Sequence, residues 1–207
     1  MGKTYWLETY GCEMNKAESS ALEENFYSMG WKPAENIHSA SAIVLHTCAV
    51  RQSAEDRLWG RLSDVKAKKR EEATLCIVGC MAAYRRQAFK EYGVDFVLDN
   101  FTKFSLPKLL EKSIGNIPYE QTITKDRLFA VKPSAIESAA NAEEYGFPLQ
   151  YGEKKKKKML PIMHGCNNFC SYCIVPYLRG REVSRDPLSI IDEIARADRT
   201  GLKELVL

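Results

Sequence analysis

Along the first half of the chain, short apolar runs alternate with stretches of helical periodicity. Residues 3–9 are rich in aromatic and β-favouring side chains and lead into Tyr10-Gly11-Cys12, which predicts a strand ending at a glycine turn. Asn15, with Glu18 three residues on, has the form of a helix N-cap and its capping-box partner. Leu22, Phe26 and Met29 then line one face of a helix that Gly30 closes. The unit is strand, cysteine-bearing loop, helix. It returns as architecture rather than as a sequence repeat: residues 42–46 form a continuous apolar strand running into Thr47-Cys48, and Ser53 caps a helix with Leu58, Leu62 and Val65 on one face. Residues 75–78 make a third strand ending in Gly79-Cys80, followed by a helical stretch over 85–92. Residues 96–98 make a fourth strand and 105–112 a closing helix. This alternation predicts an α/β fold, a parallel Rossmann-like or flavodoxin-like sheet covered on both faces.

The periodicity then fades. Residues 115–158 hold three prolines, a small and polar stretch over 134–144 and a lysine run at 154–158, and read as a linker whose lysines form a solvated face. A new strand is predicted over 159–164. Asp186-Pro187 supplies an N-cap and first turn, Ile190, Ile191, Ile194 and Ala195 mark a buried helical face, Gly201 is a stop, and another strand begins at Glu204. The predicted division is 1–114, a linker over 115–158, and 159–207. A single βαβ unit does not make a complete domain, so the chain is expected to be the front part of a longer protein.

Cysteine placement turns this architecture towards chemistry. In a parallel sheet every loop after a strand emerges at the carboxyl edge, where open α/β folds bind ligands. Cys12, Cys48 and Cys80 each follow a strand end and are therefore expected to meet as a three-thiolate site. Cys76 lies within its strand and reads as core. Cys166, Cys170 and Cys173, spaced C-x3-C-x2-C, form a second triad in one loop. A structural zinc site is normally closed by four protein ligands, while a reactive metal keeps a position open. An iron–sulfur cubane with three cysteines leaves one iron free. A compact zinc site completed by His164, in a nucleic-acid-binding module, and a metal-free scaffold are the competing readings.

Composition narrows the setting. The 207 residues are 45% hydrophobic and 28% charged, enough for an ordinary core, and a net charge of +3 is too mild to announce nucleic-acid binding. The start of the chain has no signal-peptide core and no apolar run reaches membrane-spanning length, so a cytoplasmic location with no membrane partner is expected. There, seven cysteines serve better as ligands than as disulfides, and the odd number accommodates two triads with Cys76 left over.

Cys166, Cys170 and Cys173, with Tyr172 before the last cysteine, match the C-x3-C-x-aromatic-C motif of the radical S-adenosylmethionine (SAM) enzymes. The longer run over 165–185 resembles the methylthiotransferase family among them. Thr9-Tyr10-Gly11-Cys12-Glu13-Met14-Asn15, His46-Thr47-Cys48-Ala49-Val50-Arg51 and Gly79-Cys80-Met81-Ala82 resemble the three cysteine motifs of that family's N-terminal domain. Cys48-Ala49-Val50-Arg51 and Ala54-Glu55-Asp56-Arg57 are more similar to the branch acting on tRNA than to the ribosomal-protein branch; threonylcarbamoyladenosine in tRNA is a further alternative substrate.

The resemblance implies two [4Fe-4S] clusters, the start of a partial β/α barrel over 159–207, and SAM as cofactor. Cys166, Cys170 and Cys173 would hold the cluster that binds and cleaves SAM, with Tyr172 near the SAM adenine. Cys12, Cys48 and Cys80 would hold an auxiliary cluster carrying sulfur. The resulting radical would take hydrogen from C2 of N6-isopentenyladenosine beside the tRNA anticodon, and a C–S bond would form there. The anticodon stem-loop, an electron donor such as flavodoxin or ferredoxin, and a sulfur source are the implied partners. Arg179, Arg181 and Arg185 are candidates for cofactor or phosphate contact or for surface ion pairs, and His164 for a structural strand-end residue. The resemblance covers 3–112 and 159–207. Family members continue through the rest of the barrel and an RNA-binding domain, so this chain alone is expected to be inactive.

Overall fold

A computed structural model describes residues 2–50, 52–113, 157–198 and 202–207. In chain order the first unit comprises β1 (Thr4–Thr9), α1 (Glu13–Ser28), β2 (Lys32–Pro33), β3 (Ala42–Thr47), α2 (Gln52–Lys68), β4 (Thr74–Gly79), α3 (Cys80–Tyr84), α4 (Arg86–Glu91), β5 (Phe96–Leu98) and α5 (Leu106–Ser113). Its five strands are parallel in the order β2-β1-β3-β4-β5. The chain moves outward from β1 to β2 and then returns to lay β3 on the other side of β1. This reversal opens a crevice at the carboxyl ends of β1 and β3.

The strands β3 and β4 are apolar throughout because both faces are covered. Ile43, Leu45, Leu75 and Ile77 point into one core with Leu58, Leu62 and Val65 of α2 and Phe89 of α4. Val44, Cys76 and Val78, on the alternate positions, join Leu22 and Phe26 of α1 and Leu106 and Leu110 of α5. The thiol of Cys76 is thus a core group, and burial raises its pKa well above the usual value. Phe26 anchors the second core, stacked on Tyr5 at 4.5 Å and edge-on to Trp31 at 5.5 Å. Gly30, at φ 79°, ends this helical region as its spacing predicts.

The edge strand β2 was not legible in the pattern. It is two residues long, with Pro33 at the sheet edge where no donor is required. The helix predicted over 85–92 is also preceded by α3, which Cys80 itself begins. Ser53 lies inside the first turn of α2 rather than capping it.

The second unit comprises β6 (Lys157–Met159), β7 (Met163–His164), α6 (Val175–Arg179), β8 (Val183–Ser184), α7 (Pro187–Asp198) and β9 (Glu204–Val206). The single strand expected over 159–164 is divided. β6 pairs in parallel with β9, while β7 pairs antiparallel with β8. Pro161 lies between them and has no N–H to continue a ladder. Asp186 does cap α7, its carboxylate accepting from Ser189 N at 2.9 Å. With α7 between β6 and β9, the predicted βαβ unit is present. Its apolar helical face departs from expectation: Ile190 and Ile194 are half-buried, but Ile191 is 59% exposed and Ala195 is exposed, because no described element packs over them. The linker expected over 115–158 lies outside the described residues apart from its last two positions.

Near the sheet edge, Glu8 ties β1 to α2. It accepts from Trp6 Nε1 at 2.8 Å, Tyr10 hydroxyl at 2.7 Å and Arg61 Nη2 at 2.6 Å. Burial pushes the carboxyl pKa up, but the donors and charge of Arg61, Trp6 and Tyr10 outweigh it and hold the pKa at about 2.

Two outcomes follow. Phe26→Ala is expected to cost about 3–5 kcal/mol in urea unfolding, the usual loss for emptying a buried aromatic site. Glu8 binds its proton less readily folded than unfolded, so its stabilisation is fully present above about pH 4.5 and lost as pH falls towards 2. The stability gap between wild type and Glu8→Gln, measured by denaturant titration, should therefore close across that window. A gap unchanged between pH 5 and pH 2 would rule out this coupling.

Candidate metal centre at the carboxyl edge

Each cysteine of the first triad is set by the turn that ends its strand. Cys12 stands at the N-cap of α1, Cys48 follows β3, and Cys80 opens α3. Gly11 permits their approach. At φ +116°, a Cβ added there would come within 2.3 Å of Cys48 Cβ and 2.8 Å of its sulfur. Gly79, at φ +98°, likewise leaves room for the His46 ring. All three thiols are free; Cys48 and Cys80 are buried and Cys12 is half-buried.

Cys12 donates its thiol proton to Asn15 Oδ1 at 3.3 Å. Once ionised it is favoured first by a hydrogen bond from the Cys48 thiol, then by the amides opening α1 and the charge of Arg179, which together lower its pKa against the opposing effect of burial. Cys48 is shifted upward because it gives that hydrogen bond and is buried, with the charge of Cys80 adding to the rise. Asn100 Nδ2 donates to Cys80 sulfur at 3.4 Å and to Leu178 O at 3.0 Å.

Asn15 and Glu18 do not form the predicted capping box. The helix begins before them, at Glu13, so both are interior residues of α1 and their side chains are free for other work. Asn15 Nδ2 donates to Tyr10 O at 3.0 Å and Thr47 O at 2.8 Å, joining the loops that carry Cys12 and Cys48. Glu18 is buried and accepts from Lys103 Nζ at 2.7 Å and from Arg179 through two nitrogens at 2.8 and 3.0 Å. Burial would raise the Glu18 pKa, but Lys103 and Arg179 hold it far below the usual carboxylate range. His46 Nε2 lies 3.5 Å and His164 Nδ1 4.0 Å from the same carboxylate. Burial and the nearby cations lower their pKa values, to about 3 and about 4 respectively, so both rings are neutral near pH 7.

The second triad follows β7. Cys166 N donates to Gly180 O at 3.1 Å and Cys173 N to Cys170 O at 2.9 Å, so backbone bonds hold the loop. Gly165 is required where the loop crosses residues 180 and 181: a Cβ there would lie 2.0 Å from Arg181 O. Cys170 is exposed, Cys166 and Cys173 are half-buried, and Tyr172 is 91% exposed. Arg179 and Arg185 are not surface residues: Arg179 is buried on Glu18 and Arg185 on Glu193. Arg181 is exposed and lies over the Phe169 ring at 5.1 Å. His164 is a buried strand-end residue beside Glu18.

Among the described residues, no three Cys, His, Asp or Glu side chains are grouped closely enough to hold a single metal ion. Ligands of one zinc bring their sulfurs within about 4 Å of each other, since each lies about 2.3 Å from the metal. Thiolates of a multi-iron cluster bind separate irons and need no such approach. The donor set is soft thiolate, suited to iron–sulfur chemistry, and the strand-end triad with its Gly11 cradle fits such a group.

Comparison with known proteins bears on the whole arrangement. A family profile described as "Uncharacterized protein family UPF0004" matches residues 4–99, the span of the parallel sheet. Along 99% of its length the chain is 37% identical to a tRNA-2-methylthio-N(6)-dimethylallyladenosine synthase of Treponema denticola, covering 45% of that protein. It is 38% identical over 98% of its length to the synthase of the same name from Dictyoglomus thermophilum, covering 44%. The similarity to these synthases runs along nearly the whole chain. The chain spans less than half the length of these curated relatives. Among the described residues, no helix is long and apolar enough to cross a membrane.

The residues that sequence reasoning missed at this site are Asn100 and Lys103. Both follow β5, whose loop emerges at the same edge as the three cysteine loops, so the topology that predicted the triad also pointed to them. Glu18→Ala would leave Lys103 and Arg179 as two buried cations with no carboxylate. It is expected to cost about 3–5 kcal/mol, read as a lower urea midpoint. A loss below about 1 kcal/mol would show that the cluster contributes little to stability.

Proposed function

We propose that this chain supplies both cysteine triads of a tRNA methylthiotransferase. The observation that carries this reading is the meeting of three strand-end cysteine loops at one sheet edge, joined to the second cysteine loop through Arg179 and Glu18. Cys12, Cys48 and Cys80 would hold an auxiliary [4Fe-4S] cluster, and Cys166, Cys170 and Cys173 a second one that binds SAM. When bound, the clusters and SAM supply an organic radical and a sulfur donor, the chemistry that an aromatic C–H without an acidic proton demands. The chain's own residues would bind, orient and exclude water. Tyr172, exposed beside Cys173, would pack on the SAM adenine. Asn15 and Asn100 hold the first triad's loops in register, and Arg179 fixes the second loop against the first unit.

The names of the curated relatives support the substrate, N6-isopentenyladenosine in tRNA, converted to its 2-methylthio derivative; its place beside the anticodon and a cytoplasmic setting follow from the family resemblance of the cysteine motifs and from the absence of a signal-peptide core in the sequence. The anticodon stem-loop, an electron donor such as flavodoxin or ferredoxin, and a sulfur source are the partners. The division into 1–114, 115–158 and 159–207 assigns one cluster to each outer part.

Anaerobic reconstitution followed by iron and sulfide analysis tests the assignment. Cys12→Ala and Cys166→Ala should each lose one cluster's worth of iron and sulfide while keeping the other. Colourless protein retaining zinc, or both variants losing the same cluster, would overturn it.

A further inference from the structure

The buried group around Glu18 does not balance in charge. Lys103 is fully buried, and Glu18 and Arg179 are 6% and 7% exposed. Two cations therefore face one carboxylate. The ammonium of Lys103 is held by Glu18 at 2.7 Å, by Asn100 Oδ1 at 3.3 Å, and over the Phe104 ring at 5.3 Å, three partners suited to a cation. Among these three side chains one positive charge is left over in the interior, where a charge without a partner is costly.

Both cations lead towards the first cysteine triad, each through one asparagine. Lys103 donates to Asn100, whose amide donates in turn to Cys80 sulfur at 3.4 Å. Arg179 Nη2 donates at 3.2 Å to Asn15 Oδ1, which lies 3.3 Å from Cys12 sulfur. The geometry points to Lys103, with Arg179, as a fixed counter-charge that sets the reduction potential of the group held by Cys12, Cys48 and Cys80. This rests on the reading that the triad holds an iron–sulfur cluster. Gaining an electron adds one negative charge to such a group, and a fixed cation nearby favours that form. Net charge and hydrogen bonds to the sulfurs are the terms by which proteins move cluster potentials.

The variants separate charge from packing. Lys103→Met fills similar space and leaves Glu18 and Arg179 as a matched pair, so folding is retained while the surplus charge is lost. Glu18→Gln combined with Lys103→Met leaves Arg179 alone and restores a net charge of one. The measurement is an electron-paramagnetic-resonance redox titration of reconstituted protein carrying Cys166→Ala, so that only the first triad's signal is present.

Lys103→Met should shift the equilibrium about tenfold towards the oxidised form, about 59 mV lower for a one-electron couple. Lys103→Arg should stay near the parent, and the double variant should recover most of the loss. An unchanged potential in Lys103→Met at full iron content would overturn the inference. So would a double variant no higher than the single one, since Lys103 would then act through packing. If the parent itself gives no iron–sulfur signal, the metal reading fails, and the inference with it.

Discussion

A carboxylate shut away from water must find cations, and Glu18 finds two from distant parts of the chain. Lys103 comes from the loop after β5, and Arg179 lies 161 residues away at the end of α6. Breaking such a cluster leaves buried charge uncompensated, so it specifies one docking of the two units and disfavours others. The same residues reach Cys12 and Cys80 through Asn15 and Asn100. Glu18 thus connects how the chain is assembled to what its thiols experience.

The parallel sheet explains why this junction lies where it does. Every strand delivers its following loop to one edge, so residues distant in sequence arrive together without any local motif. Hydrophobic strands buried on both faces hold that edge rigid, and Gly11 and Gly79 give the turns the close approach that a Cβ would forbid. The second triad has a different foundation. It sits in one loop held by backbone bonds from Cys166 to Gly180 and from Cys173 to Cys170, with the aromatic side chain of Tyr172 exposed beside it.

Much of this was legible in the sequence where the signal is local or periodic. The apolar runs of β3 and β4, the helix carrying Leu22 and Phe26, and the cap at Asp186 follow from short-range rules. Cys12, Cys48 and Cys80 could be brought together because topology, rather than spacing, predicts it. The failures are equally particular. Asn15 and Glu18 have the form of a capping box, yet the helix starts earlier and the two side chains turn inward. Arg179 and Arg185 read as cofactor or phosphate contacts or as surface ion pairs, yet each is buried on a carboxylate. The strand over 159–164 splits at Pro161 because its two halves find different partners.

By itself, then, the sequence determined the strand–helix alternation, the sheet edge that collects the cysteines, and the thiol spacing of the second triad. Periodicity, turn chemistry and ligand spacing act over a few residues and can be read without coordinates. Only the tertiary structure decided that Glu18 would be buried and matched by Lys103 and Arg179, with an asparagine between each cation and a triad cysteine. A charged side chain carries the same local signature whether it faces water or a partner, and its partner is fixed only by the packing of distant elements.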